Sequence, residues 1–189
     1  AKPLPSLAIG TRNGVVKRWN REAPTTMDSW PVIDVKDGDE VVFAAVAEND
    51  DRLVFVSSDS SLLTFDAKNV RPQGRTAGGM AGIKLAEGAH VMAFNVVPAG
   101  KVAWTYEEGE NGLTSGAGAV VLTVAGDEDA LPGTENGAAK VTPLEMYPTK
   151  GRATGGVRSQ RFLKGQNTLI LAWVGPYPLP VSYTHLRAH

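Results

Sequence analysis

Short apolar runs separated by polar turns dominate the first part of the chain. Residues 7–11 and 15–19 are two such runs, and the Asn13-Gly14 turn between them is a strong hairpin signal. After a polar loop, residues 30–35 and 40–47 predict two further strands. Four short strands in succession predict one antiparallel unit.

The same order of strands and turns recurs twice. A second unit has predicted strands at 53–57, 61–65, 80–85 and 89–97, and a third at 119–124, 138–141, 157–162 and 168–174. The turn glycine Gly88 follows Gly38 by 50 residues. Residues 100–118 and 127–133 are insertions, which we expect to be loops. Only residues 66–70 carry a helical signal.

A period of about 50 residues with four strands in each unit is typical of a β-propeller blade. The predicted fold class is therefore all-β, a propeller-type array of four-stranded antiparallel blades. The three units are residues 7–49, 52–98 and 119–175. Because three is fewer than a closed propeller usually has, we expect an open or partial array.

A glycine-arginine motif between the strands of the second unit returns in the third. Every matched residue lies 77 positions after its counterpart. The pairs are Gly74 and Gly151, Arg75 and Arg152, Gly78 and Gly155, Gly79 and Gly156, and Gly88 and Gly165. Glycine lets a backbone approach a ligand closely. The motif is therefore a candidate site for a phosphate.

Length and composition are those of an ordinary globular domain. The 189 residues are 42% hydrophobic and 21% charged, with 21 glycines, 12 prolines and no cysteine. We predict one domain over residues 1–180, with no membrane span and a cytoplasmic, nucleoid-associated location. Residues 181–189 fit no repeat and resemble a cloning- or sequencing-derived tail. The first residue is not methionine, which suggests an internal start within a longer chain.

The distribution of charge is more informative than its total. A net charge of −1 gives no support to a dedicated nucleic-acid binder. Basic residues nevertheless gather at the same position of successive units, whereas acidic residues concentrate in turns and insertions. If the motif loops lie on the outer rim, these bases form a track for the phosphates of duplex DNA. The alternative is that they are solvated charges on turns.

The candidate DNA-binding residues are ranked by their place in the motif. Arg75 and Arg152 come first, as equivalent motif arginines. The others are Arg71, Lys84, Lys150, Arg158 and Arg161, followed by Lys17 and Arg18. Since side chains alternate along a strand, we expect only one of the last two to face outward.

No arrangement of residues predicts catalysis or metal binding. His90 opens an apolar strand and is interpreted as structural. The serines of residues 57–61 occupy a hairpin turn without a basic partner nearby in sequence. Asp127-Glu128-Asp129 lacks the ligand spacing of a calcium loop. We therefore predict no catalytic residue, no metal site and no cofactor in this domain.

Three stretches resemble the C-terminal domain of bacterial type IIA topoisomerase A subunits, the A subunits of gyrase and topoisomerase IV. They are residues 9–18, residues 71–85 and residues 150–157, and the resemblance extends over about 6–178. The topoisomerase IV-like branch is the more similar. The resemblance implies a propeller whose blades exchange a hairpin and whose basic rim bends or captures DNA.

The resemblance also implies partners outside this chain. They are duplex DNA, the ATPase subunit of the complex, and the catalytic domain of the polypeptide to which this domain belongs, with ATP and Mg²⁺ bound in those other domains. The parent would be an ATP-hydrolysing isomerase that controls supercoiling or decatenation.

Two features depart from the family pattern. The glutamine-led box of gyrase keeps Gln73, one arginine and the glycines but loses basic positions, so bending is favoured over strong wrapping. The blade count is also low. A protein-interaction platform remains the alternative, with Trp19, Trp30, Trp104 and Trp173 mostly packing the blades, and a propeller hydrolase ranks last.

Overall fold

The computed structural model describes residues 4–112, 114–131 and 137–183. Within them the fold is built from strands and four 3-10 turns. The strands are β1 (Ser6–Thr11), β2 (Val15–Trp19), β3 (Val41–Ala47), β4 (Arg52–Ser57), β5 (Ser61–Asp66), β6 (Pro72–Gln73), β7 (Met80–Ala81), β8 (Val91–Val97), β9 (Thr105–Glu108), β10 (Thr114–Ala117), β11 (Ala119–Gly126), β12 (Ala138–Pro143), β13 (Val157–Arg158) and β14 (Thr168–Pro176). The 3-10 turns are Ala67–Asn69, Ala99–Lys101, Leu144–Met146 and Val181–Tyr183. The all-β prediction is confirmed.

Each of the three units forms the body of one blade. Blade 1 is ordered β3-β1-β2, blade 2 β8-β4-β5 and blade 3 β14-β11-β12, all antiparallel. The innermost strands β3 and β14 both pack against β8, so blade 2 lies between its neighbours in an open arc. The predicted hairpin at Asn13-Gly14 is present, with Gly14 at a φ of 89°.

Side chains on the two faces of β4 pack into the cores on either side of blade 2. Leu53 and Phe55 are fully buried against Val16 and Phe94, between blades 1 and 2. Val54 and Val56 are equally buried but belong to the cluster between blades 2 and 3. A strand buried on both faces reads as a continuous apolar run, as this one does.

The outer strand of each completed blade comes from the following unit. β6 and β7 pair with β2 of blade 1, and β13 pairs with β5 of blade 2. The prediction that residues 80–85 complete the sheet of their own unit is therefore wrong. The resemblance implied that neighbouring blades exchange a hairpin, and the exchange is observed as the short strands β6, β7 and β13.

Two further strand predictions need correction. Residues 30–35 form no strand, because the described residues offer no earlier blade whose edge they could pair with. Residues 100–118, expected to be a loop, contain the hairpin β9-β10. Its base is held by Trp104, whose ring meets Tyr106 and Tyr177 edge-on at centroid distances of 6.2 and 5.6 Å.

Three further predictions concern a helical turn, the C-terminal tail and membrane-spanning segments. The helical signal at 66–70 is confirmed as the 3-10 turn Ala67–Asn69. Of the predicted tail, residues 184–189 lie outside the described residues, whereas the Tyr183 ring packs near Trp173. In the described part of the chain, no helix has the length and hydrophobicity needed to cross a membrane.

Candidate nucleic-acid interface

The two copies of the glycine-arginine motif form the outer edge of the array. We name residues 71–85 the first rim loop and residues 150–162 the second rim loop. The first is fixed to blade 1 by β6 and β7, and the second to blade 2 by β13. Gln73, which leads the gyrase-like box, accepts a hydrogen bond from the Gly79 N–H at 3.1 Å. This glutamine therefore shapes the loop.

Close packing explains the last glycine of the Gly-Gly doublet in each motif. Gly79 and Gly156 have φ values of 86° and 73°, a region that L-residues with a Cβ avoid. A Cβ at Gly79 would lie 2.7 Å from the Val16 carbonyl oxygen, and one at Gly156 would collide with the carbonyl of Leu62. These glycines therefore serve the contact between loop and blade.

The first glycine of each motif has a different environment. A Cβ on Gly74 would meet nothing within 4 Å, and one on Gly151 would meet only the Thr154 methyl group at 3.8 Å. Both positions are exposed. These two glycines leave backbone open to an approaching ligand, as do the exposed Gly88 and Gly165 just beyond the rim loops.

The two rim loops contact each other directly. The guanidinium Nη1 of Arg152 donates to the Ala81 carbonyl at 2.7 Å, and the Ala153 N–H donates to the Gly82 carbonyl at 2.7 Å. In return, the Lys84 N–H donates to the Thr154 carbonyl at 2.9 Å. The loops of blades 1 and 2 consequently form one continuous surface.

The rim surface is basic because it carries lysine and arginine side chains and no acidic residue. Residues 67–86 and 146–183 include no aspartate or glutamate. The exposed candidates are Arg71, Lys84, Lys150, Arg158 and Arg161. Arg75 and Arg152, ranked first, are only partly exposed, and Arg152 already uses one nitrogen to hold the first rim loop. The free positive charge therefore lies mainly on the other five side chains.

Lys17 is buried beneath the first rim loop, contrary to expectation. Its side chain is 0% exposed, and its Nζ donates to the carbonyl oxygens of Val32, Arg75 and Ala77 at 2.7, 3.1 and 2.6 Å. Burial lowers the pKa of Lys17, and the nearby Asp34 carboxylate opposes that shift. Lys17 is an anchor for the loop.

Arg18 is also buried, so the expectation that one of the pair faces outward is wrong. Its guanidinium donates to the Ser6 hydroxyl and to the carbonyls of Ala67 and Val70. The reason is that both faces of β2 are covered, by the first rim loop over Lys17 and by the 67–70 turn over Arg18. Neither Lys17 nor Arg18 is available to DNA.

Lys140, which is half-buried, makes one comparable bond to the second rim loop. Its Nζ donates to the Ser159 carbonyl at 2.6 Å, between Arg158 and Arg161 in the chain. Position 140 is the counterpart of position 17 in the third unit, as the hairpin spacing predicts. Sequence spacing thus reveals the equivalence, but it does not reveal the role as an anchor.

The residues considered for other chemistry have structural surroundings. The Ser58 N–H donates to the His90 carbonyl, and the His90 N–H donates to the Ser58 hydroxyl. Burial lowers the pKa of His90, and the positive charge of Arg12 lowers it further. Ser57 bonds to Asp59 within its turn. Among the residues that the structure describes, no three histidine or carboxylate side chains gather as metal ligands.

Comparison with known proteins gives the family and the fold of this chain. A family model described as the DNA gyrase C-terminal domain, beta-propeller, matches residues 31–48, 51–98 and 133–170, more than half of the chain. The DNA gyrase A protein of Mycobacterium bovis is 29% identical over 177 residues, covering 90% of this chain and 18% of its own. The DNA gyrase A protein of Aeromonas salmonicida is 35% identical over 150 residues, covering 77% and 13%. The chain thus spans less than a fifth of the length of these relatives.

Solved structures share the fold. The C-terminal domain of DNA topoisomerase IV superposes with a TM-score of 0.66 at 23% identity, covering 90% of this chain and 46% of that one. The E. coli ParC C-terminal domain gives 0.50 at 12% identity, covering 93% and 62%.

Proposed function

This chain belongs to the DNA gyrase C-terminal domain family of β-propellers, and we propose that it binds duplex DNA along its outer rim. The observation that supports this most strongly is the continuous rim surface, in which two acid-free loops carry five exposed bases. Lysine and arginine side chains of this kind contact phosphates without reading sequence. The open backbone at Gly74 and Gly151 adds N–H groups that phosphate oxygens could reach.

The wider role follows from the family. As the C-terminal domain of a type IIA topoisomerase A subunit, this domain would bend or capture DNA and present it to the catalytic domain of the same polypeptide. Strand cleavage, Mg²⁺ binding and the hydrolysis of ATP by the ATPase subunit would take place in other domains. Bending is favoured over strong wrapping, because Gln73 is engaged within its loop and the box retains only Arg75 among its bases.

Removing two exposed rim charges is expected to weaken DNA binding about tenfold or more at low salt. The variant is Arg158→Ala with Arg161→Ala, two side chains at the end of β13 and just beyond it. The matched control, Lys68→Ala with Lys101→Ala, removes the same charge from exposed positions outside the two rim loops. Binding of a duplex is measured by gel shift or anisotropy over a range of salt concentrations.

Two outcomes would contradict the proposal. One is no binding by the unaltered domain at low salt. The other is equal weakening by the rim pair and the control pair, which would indicate a general charge effect. Either result would favour the alternative of a protein-interaction platform, for which the exposed Val41, Phe43 and Val46 of β3 offer an apolar surface.

A further inference from the structure

We infer that Asp34 ends the DNA track at blade 1, by placing a carboxylate at the rim position that is basic in the next two units. This inference rests on the proposed function, because it concerns the extent of the same DNA-binding surface. It begins from a structural equivalence between Asp34 and Lys84, which the motif offset extends to Arg161.

Matching hydrogen bonds establish the equivalence. The Asp34 N–H donates to the Ala77 carbonyl of the first rim loop at 3.3 Å, as the Lys84 N–H donates to the Thr154 carbonyl of the second at 2.9 Å. Ala77 and Thr154 are 77 residues apart, the motif offset. Asp34 and Lys84 are 50 residues apart, the offset of the turn glycines Gly38 and Gly88.

The neighbouring glycines repeat the same contact. A Cβ on Gly78 would lie 3.2 Å from the Asp34 carbonyl oxygen, and one on Gly155 would lie 3.7 Å from the Lys84 carbonyl oxygen. Arg161 follows Lys84 by the motif offset of 77. Residues 31–35 are therefore a third rim segment, preceding the two rim loops.

Charge changes sign along these three segments. Residues 20–40 carry two bases, Arg21 and Lys36, against six acids: Glu22, Asp28, Asp34, Asp37, Asp39 and Glu40. The acid-free regions 67–86 and 146–183 follow. Asp34 is exposed and contacts the first rim loop through its backbone, so its carboxylate stands where the track would continue. A phosphate there would meet repulsion.

Asp34 also acts on the buried Lys17. Asp34 favours the charged form of Lys17 beneath the rim. In blade 2, the position equivalent to Lys17 is Leu63, since Val16 pairs with Met80 as Leu62 pairs with Val157. No buried ammonium lies there, and the rim residue Lys84 is basic. In the third unit Lys140 takes the Lys17 position while the rim residue is Arg161, so the acid at Asp34 is particular to blade 1. One carboxylate thus supports the anchor and limits the track.

The test is a reversal of charge at Asp34 with a matched reversal elsewhere. Asp34→Lys is expected to tighten duplex DNA binding at low salt about fivefold and to steepen the salt dependence by about one contact. Asp50→Lys makes the same change of charge in the exposed turn between β3 and β4, outside the rim loops, and is expected to change affinity less than twofold.

Two results would overturn the inference. One is equal tightening by the two lysine variants, and the other is an unchanged salt slope in Asp34→Lys. Thermal unfolding of each variant shows whether loss of the partner of Lys17 has unfolded blade 1. In that event, the DNA affinity of Asp34→Asn is compared with that of Asp50→Asn. We expect about twofold tighter binding for Asp34→Asn and no change for Asp50→Asn. If the unaltered domain binds no DNA, the proposed function itself fails, whereas binding that Asp34 variants do not alter refutes only this inference.

Discussion

Replacing Gly156 by alanine is expected to lower the free energy of unfolding by about 3 kcal/mol. Two effects add at this residue. A left-handed φ of 73° is unfavourable for alanine, and the new methyl group would collide with the Leu62 carbonyl of β5. Since the obstacle is backbone, it cannot rotate away. Relief requires the second rim loop to separate from blade 2.

Urea or thermal unfolding measures this loss, with Gly151→Ala as the control in the same loop. Gly151 has no positive φ, and its Cβ would be 3.8 Å from its nearest neighbour, so we expect a change within about 0.5 kcal/mol. Similar small losses in both variants would refute the close-packing role assigned to Gly156 and its counterpart Gly79.

Replacing Lys17 by methionine is expected to destabilise the domain by roughly 2–4 kcal/mol. Methionine fills a similar volume, but it removes the donor that now bonds the carbonyl oxygens of Val32, Arg75 and Ala77. The Ala77 oxygen retains the longer bond from the Asp34 N–H. Hydrogen bonds from a charged donor are stronger than neutral ones, and a buried acceptor that loses its partner is costly. Equilibrium unfolding in urea provides the measurement.

Leu63→Met tests whether the position or the ammonium accounts for that loss. Leu63 occupies the equivalent site in blade 2 and is likewise fully buried. An exchange of leucine for methionine conserves volume and usually costs less than about 1.5 kcal/mol. If Lys17→Met were no more destabilising than Leu63→Met, Lys17 would not be the anchor described above.

The blade bodies could be predicted because local sequence determines them. Residues 15–19 are predicted as a strand with the bounds observed for β2, since a tight turn and an apolar run suffice to define such a hairpin. The repeat of Gly38 at Gly88 likewise sets the length of the unit. These signals involve neighbours in sequence and need no knowledge of distant contacts.

The errors arise where a long-range partner decides the structure. Residues 80–81 are predicted as a strand, but their partner β2 is more than 60 residues away. The loop between β6 and β7 buries Lys17, which alternation alone places at a possible surface. The hairpin at 105–117 is missed because its stability depends on the packing of Trp104 with Tyr177.

The candidate site is predicted in outline and corrected in detail. Exposed bases on both rim loops agree with the basic clustering in the sequence, although contact with DNA remains a prediction. Arg152, expected to face a phosphate, also bonds to Ala81 of the neighbouring loop. Asp34 is overlooked, yet the 50-residue period already aligns it with Lys84.

The central claim, that duplex DNA lies on the rim, can be tested by site-directed cross-linking. The chain contains no cysteine, so a single introduced cysteine provides a unique site for a photoreactive maleimide. Thr76→Cys and Thr149→Cys place the probe on or beside the two rim loops, and Asp50→Cys places it in an exposed turn outside them. We expect cross-links to a duplex from positions 76 and 149, lost at high salt, and little from position 50. Equal yields at all three positions, or cross-linking mainly from position 50, would contradict the account.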